Sequence, residues 1–293
     1  NNLSETEQVN KLLNISGSVG LPSIDDEVLL DTVGSFSLID EIQTLNGEQG
    51  CHRYIISNCH GPIDIARVYA LFQLCGWQDK SLNVDIVPLF ESINDLDSAG
   101  EYMRSIYANP NYKQHLVNRG NKQTIMLGFS DGTKDGGYLM ANWAIYKAKE
   151  NLTTISRKYD ITVIFFDGRG GPPARGGGKT HNFYASLGPT IEDKEVQLTI
   201  QGQTISSNFG TLDSSQYNLE QLISSGIYNS LNEVNLSMAS ENREVMDELA
   251  TLSYDAYVAF KAHPKFIPYL EHMSTLKYYA KTNIGSRPSK RGN

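Results

Sequence analysis

The sequence predicts an α/β protein built on a parallel sheet of about five strands, with additional helices. Short apolar runs rich in β-branched residues alternate with longer segments that carry apolar residues at helical spacing, and this order repeats along the chain. The strand segments are apolar on both faces, as expected for a covered parallel sheet. Charged residues directly follow several strands. A (β/α) barrel and an open doubly wound sheet both fit, although five strands cannot close an eight-stranded barrel.

The amino-terminal elements follow from local pattern. Residues 1–50 are polar and predict helices near 5–14 and 27–45, joined by a loop over 17–26. Residues 53–57, RYIIS, predict the first strand because β-branched residues suit a pleated surface. The next predicted elements are a turn over 58–62 and a helix over 63–75 that ends at Gly76.

The later elements repeat this alternation. Strands are predicted over 84–90, 124–129, 161–166 and 197–201, and helices over 94–108, 137–158, 219–231 and 241–261. Ser240 is the predicted N-cap of the last helix, with Glu241 and Glu244 in its first turn. We therefore divide the chain into a helical and loop segment (1–50), a strand-bearing segment (51–215), and a segment of helices with a basic loop (216–293).

Composition excludes several classes of protein. Hydrophobic residues at 40% and charged residues at 20% are typical of a globular protein. The net charge of −8 argues against a general binder of nucleic acid or membrane surfaces. Three cysteines are too few for a disulfide framework, so we expect a reducing, cytoplasmic location. We expect no signal peptide and no membrane-spanning segment.

Two acidic residues follow predicted strands and are candidate metal ligands. Glu91 follows VPLF, and Asp131 follows LGFS in the segment IMLGFSDGTKDGG. Two carboxylates at neighbouring strand ends can share one Mg²⁺ or Mn²⁺, with water and substrate oxygens completing the shell. The alternative is ordinary solvation or capping, which we expect for Asp135 at the start of the long helix.

A second loop is a candidate anion site. Arg169 and Arg175 lie among six glycines in FFDGRGGPPARGGG, and guanidinium groups bind phosphate or carboxylate through two hydrogen bonds. GGGKT resembles part of a P-loop, but Pro173 occupies the position of the first glycine and has no N–H to offer. A flexible glycine loop is the alternative. Arg287, in the basic segment GSRPSKR, either completes this anion site or is a solvated charge near the terminus.

The histidines and cysteines indicate no catalytic motif. The Cys-His pairs in CHRYIISNCH lack the ligand spacing of a zinc finger and flank a predicted strand, so we interpret them as structural. The remaining histidines are scattered, and no G-x-S-x-G motif or catalytic triad is present.

Five motifs, in order, resemble those of phosphoenolpyruvate carboxylase. The family pattern M-[LI]-G-Y-S-D-S-x-K-D-[AG]-G occurs here as MLGFSDGTKDGG, and F-H-G-R-G-G-x-x-G-R-G-G as FDGRGGPPARGG. P-L-F-E-[ST] occurs as PLFES, E-Q-G-E as IQGQ, and L-G-S-R-P-[AS]-K-R as IGSRPSKR. The resemblance covers most of the chain from about residue 50.

The resemblance implies a portion of a TIM-like (β/α) barrel with extra helices, usually in a homotetramer. It implies Mg²⁺- or Mn²⁺-dependent attack of bicarbonate on phosphoenolpyruvate, giving carboxyphosphate and an enolate, then oxaloacetate and phosphate. Glu91 and Asp131 would hold the metal. The implied substrate and catalytic residues are Arg169, Arg175, Arg287, Lys134 and Gln201.

The chain also departs from the family pattern. Asp167 replaces the usual histidine, SSNFG (206–210) replaces a basic segment, and YLEHMST (269–275) lacks an arginine. The T-A-H-P-T-E and L-[DE]-[LIV]-R-Q-[ED] motifs and the glycine tail are absent from this sequence. We therefore expect an inactive carboxyl-side portion of the enzyme. The alternatives are a non-catalytic metal- and anion-binding module, or another metal-dependent barrel enzyme acting on phosphoenolpyruvate.

Overall fold

The computed structural model describes residues 3–18, 25–78, 81–170, 179–200, 203–231, 238–275 and 278. Its strands are β1 (Arg53–Ile56), β2 (Asp85–Phe90), β3 (Lys122–Leu127), β4 (Thr162–Gly170) and β5 (Val196–Ile200). They form one parallel sheet in chain order, with Arg53 opposite Asp85 and Leu89 opposite Met126. This confirms the predicted α/β class and is consistent with a portion of a TIM-like barrel.

Helices connect and flank these strands. They are α1 (Glu5–Leu13), α2 (Glu27–Asn46), α3 (Pro62–Phe72), α4 (Ile93–Tyr107), α5 (Pro110–Asn118), α6 (Phe129–Gly136), α7 (Tyr138–Lys158), α8 (Thr180–Ala185), α9 (Gln203–Phe209), α10 (Leu212–Leu231), α11 (Ser240–Lys261) and α12 (Phe266–Met273). A π-helical turn, Gln73–Trp77, follows α3, and Gly76 lies within it at a φ of 101°. Among the helices described, none is long and apolar enough to cross a bilayer.

The segment after β3 is a helix. We expected the residues between the strand predicted over 124–129 and the helix predicted over 137–158 to form a loop, and this prediction is wrong. Phe129, which we assigned to the strand, begins α6, and Asp135 lies inside α6 instead of capping the long helix. Gly137 ends α6 with a φ of 80° and a ψ of 169°, a backbone conformation that only glycine adopts readily. This glycine therefore breaks the chain into two helices where one loop and one helix were predicted.

Two further boundaries differ from prediction. Strand β4 runs on to Gly170, so Asp167 and Arg169 belong to a strand and not to a loop. An extended backbone is open to glycine as to any residue, so a glycine-containing sequence can continue a strand. Ser240 is the first residue of α11, and Ala239 is its N-cap. The predicted elements did not include α5, α8, α9 or α12.

The chain forms two compact units. The first comprises residues 1–127, 147–166 and 191–197, and the second comprises 128–146, 167–190 and 198–293. An aromatic cluster packs at one side of β1 in the first unit. Phe36 stacks on Tyr54 at 4.7 Å between ring centroids and meets the edge of Phe72 at 4.6 Å, and Phe72 contacts Trp77 at 5.9 Å. Such pairs stabilise a core beyond their buried area.

Candidate active site

In the first unit, the end of β2 presents Glu91 to the loop after β1. The backbone N–H of Asn58 donates a hydrogen bond to Glu91 Oε2 at 3.1 Å. Asn58 has a φ of 52°, in the left-handed region that asparagine tolerates better than most residues. The backbone turn at Asn58 thus holds one oxygen of the carboxylate that the sequence proposes as a metal ligand.

A second set of contacts ties the same two loops together. Ser92 caps α4 by accepting from the Asp95 N–H at 3.1 Å, and its hydroxyl donates to Asp95 Oδ2 at 2.5 Å. That oxygen also lies 3.0 Å from His60 Nδ1. The Asp95 side chain is only 7% exposed, whereas that of His60 is 65% exposed. We call these three residues the β1–β2 brace. Because it joins the two loops, it limits the movement of Glu91.

In the second unit, α6 carries Asp131 and Lys134 on one face. Lys134 Nζ donates to Asp131 Oδ1 at 2.6 Å, the i,i+3 spacing at which helical side chains meet. The Asp131 side chain is 28% exposed and that of Lys134 is 65% exposed. The sequence placed both residues in the site, and the structure brings these two together as an ion pair.

Helix α11 holds the carboxyl end of α6. Lys261 Nζ donates to the carbonyl oxygens of Lys134 and Asp135 at 2.8 and 2.9 Å, and Tyr257 Oη donates to the Lys134 carbonyl at 3.2 Å. The last carbonyls of a helix lack partners within it, and a cation is favoured there. We call Tyr257 and Lys261 the α11 clamp. It fixes the backbone of the helix that carries Asp131.

Asp167 is fully buried, and Tyr184 Oη donates to its Oδ2 at 2.9 Å. The carboxylate therefore has a specific partner in the second unit. From the sequence, Asp167 either orients Arg169 or competes for it, and this stays a prediction because only the backbone of Arg169 is described.

The other proposed anion-binding residues lie outside the described part of the chain. These are Arg175, Gln201 and Arg287. We expect residues 168–178 to be mobile without a bound anion, because glycine raises the entropy cost of ordering, but 171–178 likewise lie outside the described residues. Glu91 and Asp131 belong to different units, so their sharing of one ion stays a prediction.

Comparison with known proteins decides the family. Residues 2–293 match the family model described as phosphoenolpyruvate carboxylase. The chain belongs to the phosphoenolpyruvate carboxylase family. This confirms the resemblance deduced from the five motifs, and the match covers nearly all of the sequence.

Curated phosphoenolpyruvate carboxylases from Xanthomonas are similar to the chain. The protein of Xanthomonas euvesicatoria pv. vesicatoria is 35% identical over 285 residues, and that of Xanthomonas oryzae pv. oryzae is 35% identical over 284. Each alignment covers 94% of this chain and 31% of the relative. The chain thus spans about a third of the length of the phosphoenolpyruvate carboxylases it matches.

The described residues fit a hard divalent cation better than zinc. Glu91 and Asp131 offer carboxylate oxygens, the ligands preferred by Mg²⁺ and Mn²⁺. In the described ranges, no group of three or more histidine, cysteine or acidic side chains is arranged to hold a metal. A Mg²⁺ ion that keeps several waters needs only one or two protein carboxylates. The donor chemistry therefore fits the metal that this family implies.

Cys59 supports the structural interpretation of the Cys-His pairs. Its thiol is fully buried, and burial raises its pKa to about 12. All three cysteines are free. A thiol that stays protonated at neutral pH is a poor metal ligand, because metal binding requires the thiolate.

Sequence reasoning missed the β1–β2 brace and the α11 clamp. His60 and Asp95 lie 35 residues apart, and Lys261 lies 127 residues from Lys134. A signal existed only for Asp95, which stands three residues after Ser92 at the start of a helix, the spacing of a capping interaction. The partners depend on tertiary packing, which local patterns do not encode.

Proposed function

We propose that this chain is the metal- and anion-binding portion of a phosphoenolpyruvate carboxylase, which converts phosphoenolpyruvate and bicarbonate to oxaloacetate and phosphate. The observation that carries the proposal is the family match over residues 2–293, together with the Asp131–Lys134 pair in the MLGFSDGTKDGG motif. The parent is proposed to be a cytoplasmic homo-oligomer. The parent's activity is a proposal because the chain spans 31% of its relatives.

The proposed roles follow from the chemistry of each side chain. Glu91 and Asp131 would bind Mg²⁺ or Mn²⁺, which supplies positive charge to stabilise the enolate oxygen of the substrate. Lys134 would bring positive charge close to the attacking bicarbonate. The β1–β2 brace and the α11 clamp would hold the two carboxylates in place before substrates bind, which lowers the cost of organising the site.

The anion-binding roles rest on sequence alone. Arg169, Arg175 and Arg287 would pair with the phosphoryl group, carboxyphosphate and the substrate carboxylate, because guanidinium groups bind such anions through two hydrogen bonds. Gln201 would donate to a substrate oxygen. Glycines around the arginines would let the backbone close over the site and exclude water, which would otherwise protonate the enolate.

The test uses the full-length parent protein with Mg²⁺. We expect bicarbonate-dependent release of phosphate from phosphoenolpyruvate with equal formation of oxaloacetate. Asp131→Asn should lower turnover by about a hundredfold or more, since it removes a charge that acts at the reacting atoms. Its melting temperature should stay close to that of the wild type because Asp131 lies on a partly exposed helix face.

Asp160→Asn is the matched control. Asp160 has a φ of 58° in the turn before β4, a conformation that asparagine also tolerates. This turn precedes the amino-terminal end of β4, whereas Glu91 and Asp131 follow the carboxyl ends of β2 and β3. Its turnover should match the wild type. Phosphate release without bicarbonate would favour another enzyme of phosphoenolpyruvate, and absence of any turnover would favour a binding module.

A further inference from the structure

The ammonium of Lys134 lies against the Asp131 carboxylate, which we propose as a metal ligand. It lies 2.6 Å from Asp131 Oδ1, within the same short helix. Partly exposed ion pairs of this kind contribute little to stability because water screens them and both side chains lose freedom. A divalent cation, with twice the charge and a preference for oxygen ligands, can therefore replace this ammonium at small cost.

The backbone of Lys134 is held while its side chain extends toward solvent. The α11 clamp donates two hydrogen bonds to the Lys134 carbonyl, from Tyr257 Oη and Lys261 Nζ, and a third to the Asp135 carbonyl. The Lys134 side chain is 65% exposed and has a flexible four-carbon stem. Movement at this position is thus expected in the side chain and not in the helix.

We propose that Lys134 is an exchangeable counterion. It neutralises Asp131 until a divalent cation binds that carboxylate, and binding then frees its ammonium to engage an anionic substrate. The inference rests on the proposed function, since it assumes that Asp131 binds the metal. Because the coupling is reciprocal, metal should strengthen anion binding and anion should strengthen metal binding.

The decisive experiment measures Mn²⁺ binding to the full-length parent without substrates, alongside steady-state turnover. Lys134→Met keeps the length of the side chain and removes its charge. It should tighten Mn²⁺ binding about three- to tenfold, because the competing cation is gone. Turnover should fall about a hundredfold, because a charge at the anion is lost. Lys134→Arg should bind Mn²⁺ like the wild type.

Tighter Mn²⁺ binding combined with lower turnover in Lys134→Met separates this role from a structural one. If Lys134 only stabilised α6, its loss would leave Mn²⁺ affinity unchanged or weaken it, and either result would overturn the proposal. Lys158→Met, at an exposed position at the end of α7, controls for net charge and should change neither quantity.

Asp131→Asn distinguishes this inference from the proposed function. Weaker Mn²⁺ binding in Asp131→Asn combined with unchanged binding in Lys134→Met would overturn the exchange and leave the metal assignment standing. Unchanged Mn²⁺ binding in Asp131→Asn would overturn both the metal ligand and the exchange, whatever the carboxylase assay shows.

Discussion

His115 is a buried imidazole that folding keeps neutral. It is 4% exposed, its ring lies 5.5 Å from that of Tyr112, and Nδ1 has no hydrogen-bond partner among the described residues. Burial, with a smaller contribution from the charge of Arg119, lowers its pKa to about 3 from 6.5. Between these values the unfolded chain binds a proton that the folded chain does not, so stability falls as the pH falls below about 6.5.

We predict that His115→Phe removes part of this acid sensitivity. In the wild type, His115 should lower the free energy of unfolding by about 1.4 kcal/mol between pH 7.5 and pH 5.5. Urea denaturation of the purified chain at the two pH values should show a difference smaller by that amount in the variant. His272→Phe, at an exposed position, should keep the wild-type difference. An unchanged pH dependence in His115→Phe would mean that this imidazole titrates normally.

Asn58 couples a left-handed backbone to the Glu91 carboxylate. We predict that Asn58→Val lowers the free energy of unfolding by about 1–2 kcal/mol, because a β-branched residue resists a φ of 52°. The same substitution should weaken Mn²⁺ binding, because it disturbs the turn that holds Glu91. Asn58→Gly should retain binding. Asn121 has a φ of 55° in the turn before β3, so Asn121→Val should bring similar strain without touching Glu91. Equal Mn²⁺ affinity in the two valine variants would contradict a role for the Asn58 turn.

At the scale of elements, the strands were predictable and the short helices were not. The sequence of β2 is a largely apolar run, which predicts a strand covered on both faces. In the structure all of its residues after Asp85 are buried. FSDGTKDG, in contrast, is rich in turn formers with low helix propensity, yet it forms α6. The α11 clamp satisfies the carboxyl end of α6, so tertiary contacts outweigh local preference. Asp131 was identified from its place after a predicted strand and Lys134 from a family motif, and their pairing depends on the helix that the sequence did not predict.

The junction between α6 and α7 offers a matched test of backbone strain and contact. Gly137 and Gly47 both cap helices, with φ and ψ of 80° and 169° against 82° and 158°. A Cβ at Gly137 would lie 3.1 Å from Tyr257 Cγ, whereas one at Gly47 would meet nothing within 4 Å. Both alanine variants should lose roughly 1–3 kcal/mol of stability from strain, and Gly137→Ala about 1 kcal/mol more.

Urea denaturation checks this, with Tyr257→Ala as the background. In that background the excess cost of Gly137→Ala over Gly47→Ala should shrink, because the ring is gone and only the Tyr257 Cβ, 3.3 Å from the added methyl group, remains. An undiminished excess would show that the Tyr257 ring is not its source. The Tyr257 ring would then not be the reason that glycine is required at this position.

At the scale of the molecule, the described strands leave two sheet edges, β1 and β5. The chain also exposes large apolar side chains along several helices, including Val28 at 77%, Ile223 at 60% and Phe260 at 62%. Unpaired strand edges and exposed apolar faces favour association with other chains. The relatives are about three times longer, so further parts of such a protein are available to cover these surfaces.

We therefore predict that the purified 293-residue chain self-associates and does not carboxylate phosphoenolpyruvate. Sedimentation should show a mass that rises with concentration. Ile55→Lys, on edge strand β1 where Ile55 is 42% exposed, should reduce this association, because a lysine on a strand edge opposes pairing. Val117→Lys, on the surface of α5 at 47% exposure, is the matched control and should not.

The absence of activity has a separate reason. The family motifs T-A-H-P-T-E and L-[DE]-[LIV]-R-Q-[ED] do not occur in this sequence. Losing one preorganised polar contact typically lowers the rate by ~10²–10³, so losing several groups should leave no measurable oxaloacetate, even with Mg²⁺ and bicarbonate. Robust turnover by the purified chain would show that those groups are dispensable. A strictly monomeric chain would show that its own segments cover the sheet edges.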